Sequence, residues 1–174
     1  MDAVDELEAI LMSLDGIWDE EAVDELAHAL QAGYLARADH ADDELVLASV
    51  LHDIGRSPLL GPAQDHRHDA VARHWLAPRF GERVGWLAGS HVAAKRYLVL
   101  TDPDYATRLS ATSIASLAHQ GGAGVDSRWT DHPWWPDALR LRLFDDGAKV
   151  PGADALSIAD VLALARKVVA RHDR

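Results

Sequence analysis

Cysteine is absent from the 174-residue sequence. That absence excludes disulfides, thiolate metal sites and cysteine nucleophiles, so a metal could be held only by histidine and carboxylate groups. Such ligands suit iron, manganese, zinc or magnesium. The sequence also lacks an apolar run of the roughly 18 residues that a membrane span requires, and its start has no basic segment followed by an apolar block. We therefore expect a soluble, cytoplasmic protein with no membrane partner.

Basic residues are scarce, because 17 Lys and Arg stand against 28 Asp and Glu, giving a formal net charge of -11. A field of this sign repels nucleic acid, so we expect no nucleic-acid partner. A small anionic substrate would need a few basic residues kept inside the pocket. The length predicts one domain, residues 1–174, large enough to bury a hydrophobic core without stabilising disulfides or metal ions.

Strand patterns are missing too, since the sequence shows no long alternating β-branched run and no internal repeat. Apolar residues instead recur at helical spacing, which predicts an all-α helical bundle. The predicted helices cover residues 3–14, 20–38, 42–51, 66–76, 84–98, 109–120, 138–144 and 157–171. Asp19 or a neighbour is expected to cap the second of these. The tryptophan-rich segment before Pro136 is expected to form a loop or lid.

The dipeptide His52-Asp53 follows an apolar helical run that ends at Leu51. It offers a metal one nitrogen and one oxygen ligand side by side, from a buried helix rather than a mobile loop. Gly55 then lets the chain leave that helix. A capped helix end has the same pattern, so further ligands decide the question.

Two more histidines are predicted to point inward. His28 lies beside the apolar stripe of its helix, which we expect to consist of Val23, Leu26, Leu30, Tyr34 and Leu35. His68 shares a helix face with Trp75, seven residues further on, whereas His66 and His74 are expected at the surface. A lone buried histidine is also common as a hydrogen-bonded core residue.

His91 and Lys95 are one helical turn apart, so a ligand and a cation would face the same cavity. A solvated lysine at a helix end is the alternative. A polar stripe on the helix over 109–120 consists of Ser110, Ser113, Ser116 and Gln120. Aligned hydroxyls are usually exposed, so this stripe does not establish a site.

Six residues are candidate metal ligands: His28, His52, Asp53, His68, His91 and Asp145. Their types and their order along the chain resemble the ligand pattern of HD-domain metalloproteins. Six ligands are enough for two metals, and a carboxylate such as Asp53 can give one oxygen to each. Asp145 is preferred because its spacing to Lys149 resembles the family's, and Asp146 is the alternative.

HD domains include phosphohydrolases and mixed-valent diiron oxygenases. The segments 91–98, 109–122 and 144–149 closely resemble the phosphonate-degrading HD oxygenases, the 2-amino-1-hydroxyethylphosphonate dioxygenase (PhnZ) type, and the resemblance runs from about Trp18 to Lys149. It implies two iron ions, Fe(II)/Fe(III), with O2 as co-substrate, and Asp53, His28 and His91 as residues on which catalysis depends. The implied reaction cleaves the carbon-phosphorus bond of a small 1-hydroxyphosphonate to give phosphate and a carboxylic acid. A metal-dependent phosphohydrolase acting on a nucleotide or phosphomonoester is the alternative.

The resemblance also implies substrate contacts. The positions that match the family's phosphonate-binding set are Lys95, Ser113, Ser116 and Gln120. One cation and a row of hydroxyl and amide hydrogen-bond donors are suited to binding a tetrahedral dianion such as a phosphonate group. Glu21 matches the residue that recognises the substrate amine, although an exposed helix carboxylate would fit the pattern equally well. Trp18 replaces a tyrosine able to occupy an iron site, and Arg56 replaces a histidine and adds charge near the pocket mouth. These departures suggest a substrate that lacks or alters the amine.

Overall fold

The computed structural model describes residues 2–19, 21–62 and 67–172. Within these ranges all regular structure is helical, so the prediction of an all-α bundle is confirmed. Eleven α-helices follow one another: α1 (Ala3–Ser13), α2 (Glu25–Ala38), α3 (Asp43–Leu51), α4 (His68–Phe80), α5 (Glu82–Gly89), α6 (His91–Thr101), α7 (Tyr105–Arg108), α8 (Ala111–His119), α9 (Ser127–Thr130), α10 (Trp135–Gly147) and α11 (Ile158–His172). Two 3-10 turns, Ile54–Arg56 and Pro58–Leu60, follow α3. No helix in the described ranges is both long and apolar enough to cross a bilayer.

Aspartate side chains begin the first three helices. Asp2, Asp24 and Asp42 each accept hydrogen bonds from backbone N–H groups of the first turn, which would otherwise lack partners. The prediction that α2 begins near residue 20 with Asp19 as its cap is therefore wrong. Asp24 also accepts from the N–H of Gly16, so its carboxylate holds the preceding loop against the helix.

The buried face of α2 differs from the predicted apolar stripe. Tyr34 is 36% exposed, and Leu26, Leu30 and Leu35 are only half-buried. The buried side is made of small and polar residues: His28, Ala29, Gln31, Ala32, Gly33 and Ala36. A Cβ atom on Gly33 would lie 2.4 Å from Val50 Cγ2, so α2 and α3 approach too closely for larger side chains there. This close approach brings His28 next to the end of α3.

Helix α4 continues past residue 76, where it was predicted to end. Pro78 lies inside the helix, which continues to Phe80, and the Phe80 side chain is fully buried. A proline removes one backbone hydrogen bond, and burial of a large aromatic ring stabilises the final turn against that loss. His74 is exposed, as predicted. The predicted start of this helix at His66, and the predicted exposure of that residue, lie outside the described residues.

The segment predicted as one helix over 84–98 forms two helices, α5 and α6, which meet at Ser90. The break allows His91 to begin a new helix whose first turn faces inward. In the tryptophan-rich segment, Trp129, His132 and Trp134 pack around Trp86 of α5, with ring centroids 4.3–5.8 Å from it. This segment includes α9, so it is more regular than the predicted loop.

Helix α10 extends beyond the predicted range of 138–144 at both ends, and Asp145 therefore lies within its last turn. Helix α11 matches its prediction closely. Ser157 accepts from the N–H of Asp160 at its start, and the face formed by Val161, Leu162, Ala165 and Val168 is buried in the core shared with α1 and α3.

Candidate metal centre

The six predicted metal ligands lie together in the interior, although they are far apart in the sequence. All six residues are buried, with exposed fractions between 0% for His52 and 8% for Asp53. His28 comes from the first turn of α2, and the pair His52-Asp53 follows the last turn of α3. His68 and His91 are the first residues of α4 and α6, and Asp145 lies near the end of α10. Five helices therefore meet at one point.

The donor atoms form two clusters. In the first, His28 Nε2 lies 3.2 Å from His52 Nε2, 3.4 Å from Asp53 Oδ2 and 3.2 Å from Asp145 Oδ1. His52 Nε2 is 3.3 Å from the same Asp53 oxygen and 3.5 Å from the same Asp145 oxygen. All four donors could therefore bind one ion.

The second cluster uses the other oxygen of Asp53. His68 Nε2 lies 2.8 Å from His91 Nε2, and these nitrogens are 3.1 Å and 3.2 Å from Asp53 Oδ1. Since Oδ2 faces the first cluster, Asp53 spans both. The Asp53 carboxylate therefore offers one oxygen to each cluster.

Hydrogen bonds orient three of the imidazole rings. The Nδ1 atoms of His28, His52 and His91 lie 2.7–2.8 Å from backbone carbonyl oxygens, which can only accept. Each Nδ1 therefore carries the proton, and in the neutral ring Nε2 presents a lone pair to the centre. Backbone carbonyls that fix the tautomer in this way are characteristic of metal-binding histidines.

The spacing of the donors fits a metal ion. Ligand atoms about 2.0–2.2 Å from one ion lie roughly 3 Å apart in tetrahedral or octahedral coordination. The distances of 2.8–3.5 Å within the two clusters agree with that value. Nitrogen and oxygen donors without sulfur suit iron, zinc or manganese.

The protonation states of the two carboxylates and of His91 favour metal binding, whereas those of His28 and His52 oppose it. Although burial opposes ionisation, the positive charge of His52 keeps the pKa of Asp53 well below its usual value, and Arg142 does the same for Asp145. Burial lowers the pKa of His91, so its ring is neutral. Burial would also lower the pKa of His28, but its hydrogen bonds to Asp145 and Asp53 outweigh that effect and raise it to about 9. Metal binding at His28 must therefore displace a proton.

Asp145, rather than Asp146, faces the other donors. The Asp146 carboxylate instead accepts hydrogen bonds from Tyr105 and Arg142. Arg142 is a functional residue that the sequence analysis missed: its side chain is buried, and its Nη1 lies 2.8 Å from Asp145 Oδ2. The guanidinium thus holds the Asp145 oxygen that does not face the histidines. An arginine three and four residues before two adjacent aspartates is the signal that could have identified it.

We expect the substitution Arg142→Gln to weaken metal binding by about 10- to 100-fold, the usual effect of losing a residue that orients a ligand. Asp145 would lose the partner that fixes its carboxylate. Metal affinity measured by competition with a chelator tests this result. Arg140→Gln is the matched control, because Arg140 lies on the same helix but forms exposed ion pairs with Asp39 and Asp137. Equal affinity in the two variants would contradict the role of Arg142.

A polar pocket, with an empty volume of about 470 Å³ including its opening, lies against the two clusters. All six predicted substrate contacts line it: Glu21, Arg56, Lys95, Ser113, Ser116 and Gln120. The polar stripe of α8 thus faces inward, and Ile114 on the opposite side is 50% exposed. Lys95 is 2% exposed and donates hydrogen bonds to the Ser113 carbonyl (3.0 Å) and the Ser116 hydroxyl (2.9 Å).

Glu25 is a second residue that the sequence analysis missed. It is 5% exposed and lines the pocket, and burial together with repulsion from Asp53 raises its pKa to about 7. Its position at the first turn of a helix is typical of an ordinary exposed glutamate, so the sequence contained no signal for its burial. Trp18 does not line this pocket and is 62% exposed.

Fold and site together define an all-helical protein with a buried centre of histidine and aspartate donors suited to metal binding. A Gimesia maris protein named hydroxymethylphosphonate dioxygenase is 40% identical over 145 residues, which cover 76% of this chain and 71% of that protein. The chain belongs to the family of PhnZ-type phosphonate dioxygenases.

Two further relatives were found. A Leisingera caerulea protein, named as the glycine-betaine-forming dioxygenase of 1-hydroxy-2-(trimethylamino)ethylphosphonate, is 27% identical over 161 residues, covering 87% of this chain and 82% of that protein. An uncharacterised protein of Acanthamoeba polyphaga mimivirus is 30% identical over 141 residues, covering 75% of this chain and 64% of its own length. No protein-family model matches the chain.

Proposed function

We propose that the protein is a diiron oxygenase that uses O2 to cleave the carbon-phosphorus bond of a small 1-hydroxyphosphonate. The first iron would be held by His28, His52, Asp53 and Asp145, and the second by Asp53, His68 and His91. The two oxygens of Asp53, which face different clusters, support a dinuclear site. The second cluster supplies only three donors among the described residues, which leaves coordination positions for substrate oxygens.

The observation that carries the choice of substrate is the state of Lys95. This buried ammonium group lies beside the metal donors, yet among the described residues its hydrogen bonds go only to neutral oxygens. Asp145 and Asp146 act on this charge only from a distance, and a buried charge without a direct ion-pair partner is costly, so an anionic ligand would stabilise it. A phosphonate group at this position would supply the missing negative charge.

Polar groups of α8 would hold the remaining phosphonate oxygens. The hydroxyl of Ser116 already contacts Lys95, and Ser113 is buried one turn earlier. Gln120 Oε1 is buried and finds no hydrogen-bond partner among the described residues. The terminal amide can turn to present its NH2 group instead, and a phosphonate oxygen would accept from it.

The two irons would supply the redox chemistry that activates O2 and oxidises the substrate carbon. The protein residues bind, orient and shield the substrate. Lys95 and the α8 side chains would fix the phosphorus end, so that the hydroxyl-bearing carbon faces the metal donors. Arg142 would keep Asp145 in place during the reaction. The products would be phosphate and a carboxylic acid.

Phosphate release from a panel of 1-hydroxyphosphonates tests this function. We expect the iron-loaded protein, assembled anaerobically, to release phosphate only after O2 is admitted, with one carboxylic acid formed per phosphate. Phosphate appearing equally fast without O2 would reject an oxygenase. Faster hydrolysis of nucleotides or phosphomonoesters by the manganese-loaded protein would instead favour a phosphohydrolase.

A further inference from the structure

Glu25 is a buried acidic residue that neither metal cluster uses. It lies in the first turn of α2, three residues before His28, so the two side chains share one face of the helix. Glu25 is 5% exposed and lines the pocket, and it belongs to neither group of described residues that could hold an ion. Burial of a carboxylate is costly unless hydrogen bonds replace the lost water. A partner inside the pocket would therefore stabilise it.

The two oxygens of Glu25 differ in their surroundings. Glu25 Oε1 lies 3.7 Å from Arg56 Nε, which is an ion-pair distance rather than a hydrogen-bond distance. Glu25 Oε2 is buried and accepts no hydrogen bond from any described residue. Gln120 Oε1 is in the same condition, but its amide can turn and donate instead. An ionised carboxylate can only accept, so Glu25 Oε2 is suited to a donor that a ligand supplies.

The contacts of Arg56 place Glu25 on the side of the second cluster. The same Arg56 Nε lies 3.9 Å from Asp53 Oδ1, the oxygen that faces the second cluster. This cluster has three donors among the described residues and so leaves room for substrate oxygens. With the phosphonate at Lys95, the hydroxyl group on the adjacent carbon would meet this side of the pocket. In a simple 1-hydroxyphosphonate dianion, that hydroxyl is the one hydrogen-bond donor, and Glu25 Oε2 is an acceptor that lacks one.

We propose that Glu25 is a catalytic residue whose Oε2 accepts a hydrogen bond from the 1-hydroxyl group of the substrate and then takes the hydroxyl proton. The inference rests on the proposed function. The oxygen-hydrogen bond of the hydroxyl breaks, a new one forms at Oε2, and the electron pair stays on the substrate oxygen. The step therefore needs no oxidant or reductant, and it makes that oxygen a stronger ligand for a metal. A general base is most effective when its pKa lies near the working pH, and burial with repulsion from Asp53 raises the pKa of Glu25 to about 7.

Two ligands that differ only in the hydroxyl group test the hydrogen bond without turnover. Hydroxymethylphosphonate has this group, and methylphosphonate lacks it. In anaerobic calorimetry with the iron-loaded protein, we expect the wild type to bind the hydroxylated compound more tightly. Glu25→Leu should reduce that preference at least about tenfold, because the hydroxyl loses a charged acceptor. An effect of charge alone would instead change the affinity of both anions by the same factor.

The isosteric variant Glu25→Gln tests the proton transfer. Its amide oxygen can still accept a hydrogen bond but cannot take the proton at neutral pH. We expect kcat for hydroxymethylphosphonate to fall about 100-fold or more, the usual contribution of a general base, while the preference for the hydroxylated ligand falls less than in Glu25→Leu. Glu8→Gln, which changes an exposed glutamate of α1, is the matched control and should behave as the wild type.

Iron content and the melting temperature show whether each variant is folded and loaded, and both should match the wild type. An unchanged ligand preference in Glu25→Leu, an equal change for both ligands, or an unchanged kcat in Glu25→Gln would overturn the inference. Loss of iron from Glu25→Gln would also overturn it, since Glu25 would then be a metal ligand. Failure of the proposed function is distinct, because the wild type would then release no phosphate from any 1-hydroxyphosphonate in O2.

Discussion

The substitution Asp53→Asn is expected to reduce bound iron from about two ions per chain to one or fewer and to lower kcat by at least about 10³-fold. Asp53 is the only described residue whose two oxygens face different clusters. An amide has one oxygen to offer and no negative charge, so it cannot hold both ions. Without the metals, the protein has no means to activate O2.

Single-cluster variants provide the comparison. His91→Ala removes a donor from the second cluster only, and we expect it to retain about one iron, held by the first cluster. Asp131→Asn, an exposed aspartate, is the control for the change of charge and should keep both ions. Iron is measured by a colorimetric assay after anaerobic loading and removal of excess metal. Full iron content in Asp53→Asn would show that the carboxylate does not bridge.

The second large effect is expected for Lys95→Met, which should lower kcat/KM for the phosphonate about 100- to 1000-fold. Removing one partner of a buried charge pair costs about 2–5 kcal/mol, and the anionic substrate would lose its counter-charge. Iron content should remain that of the wild type, because Lys95 is not a donor in either cluster. Lys167→Met is the control, since that lysine is 57% exposed and pairs with Asp43.

The pH profile adds a readout for the same residue. Burial and the nearby charge of Arg142 lower the pKa of Lys95 to about 8. The ammonium form exists below this pKa, so kcat/KM should lose up to about tenfold per unit as pH rises above 8. The fall should be absent in Lys95→Met. A profile with the same alkaline limb in both proteins would assign that limb to another group.

The sequence was sufficient for the all-α class because helical periodicity is strong in α11, where an ordinary apolar face meets the core. It was misleading for α2 and α8, where burial follows the polar site instead. His28 and Gln31 are buried on α2 while Tyr34 is exposed, and Ser113 is buried on α8. A rule that places polar residues outside fails wherever a helix lines an ionic centre.

Individual site residues differ in how far a sequence can reveal them. The pair His52-Asp53 could be predicted because two donors are adjacent at a helix end. Arg142 could have been identified from its spacing of three and four residues to Asp145 and Asp146. Glu25 could not, because a glutamate in the first turn of a helix is usually solvated and only its tertiary contact with Arg56 shows otherwise. The boundaries of α2 and α10 depended on Asp24 as a cap and on the packing around Trp135, which periodicity does not resolve.

Anaerobic iron titration followed by electron paramagnetic resonance tests the dinuclear centre most directly. After partial oxidation, we predict two iron ions per chain and the signal of a coupled Fe(II)/Fe(III) pair, which changes when hydroxymethylphosphonate is added without O2. A single iron per chain, or the signal of an isolated Fe(III) ion that the phosphonate leaves unchanged, would contradict a pair of ions bridged by Asp53.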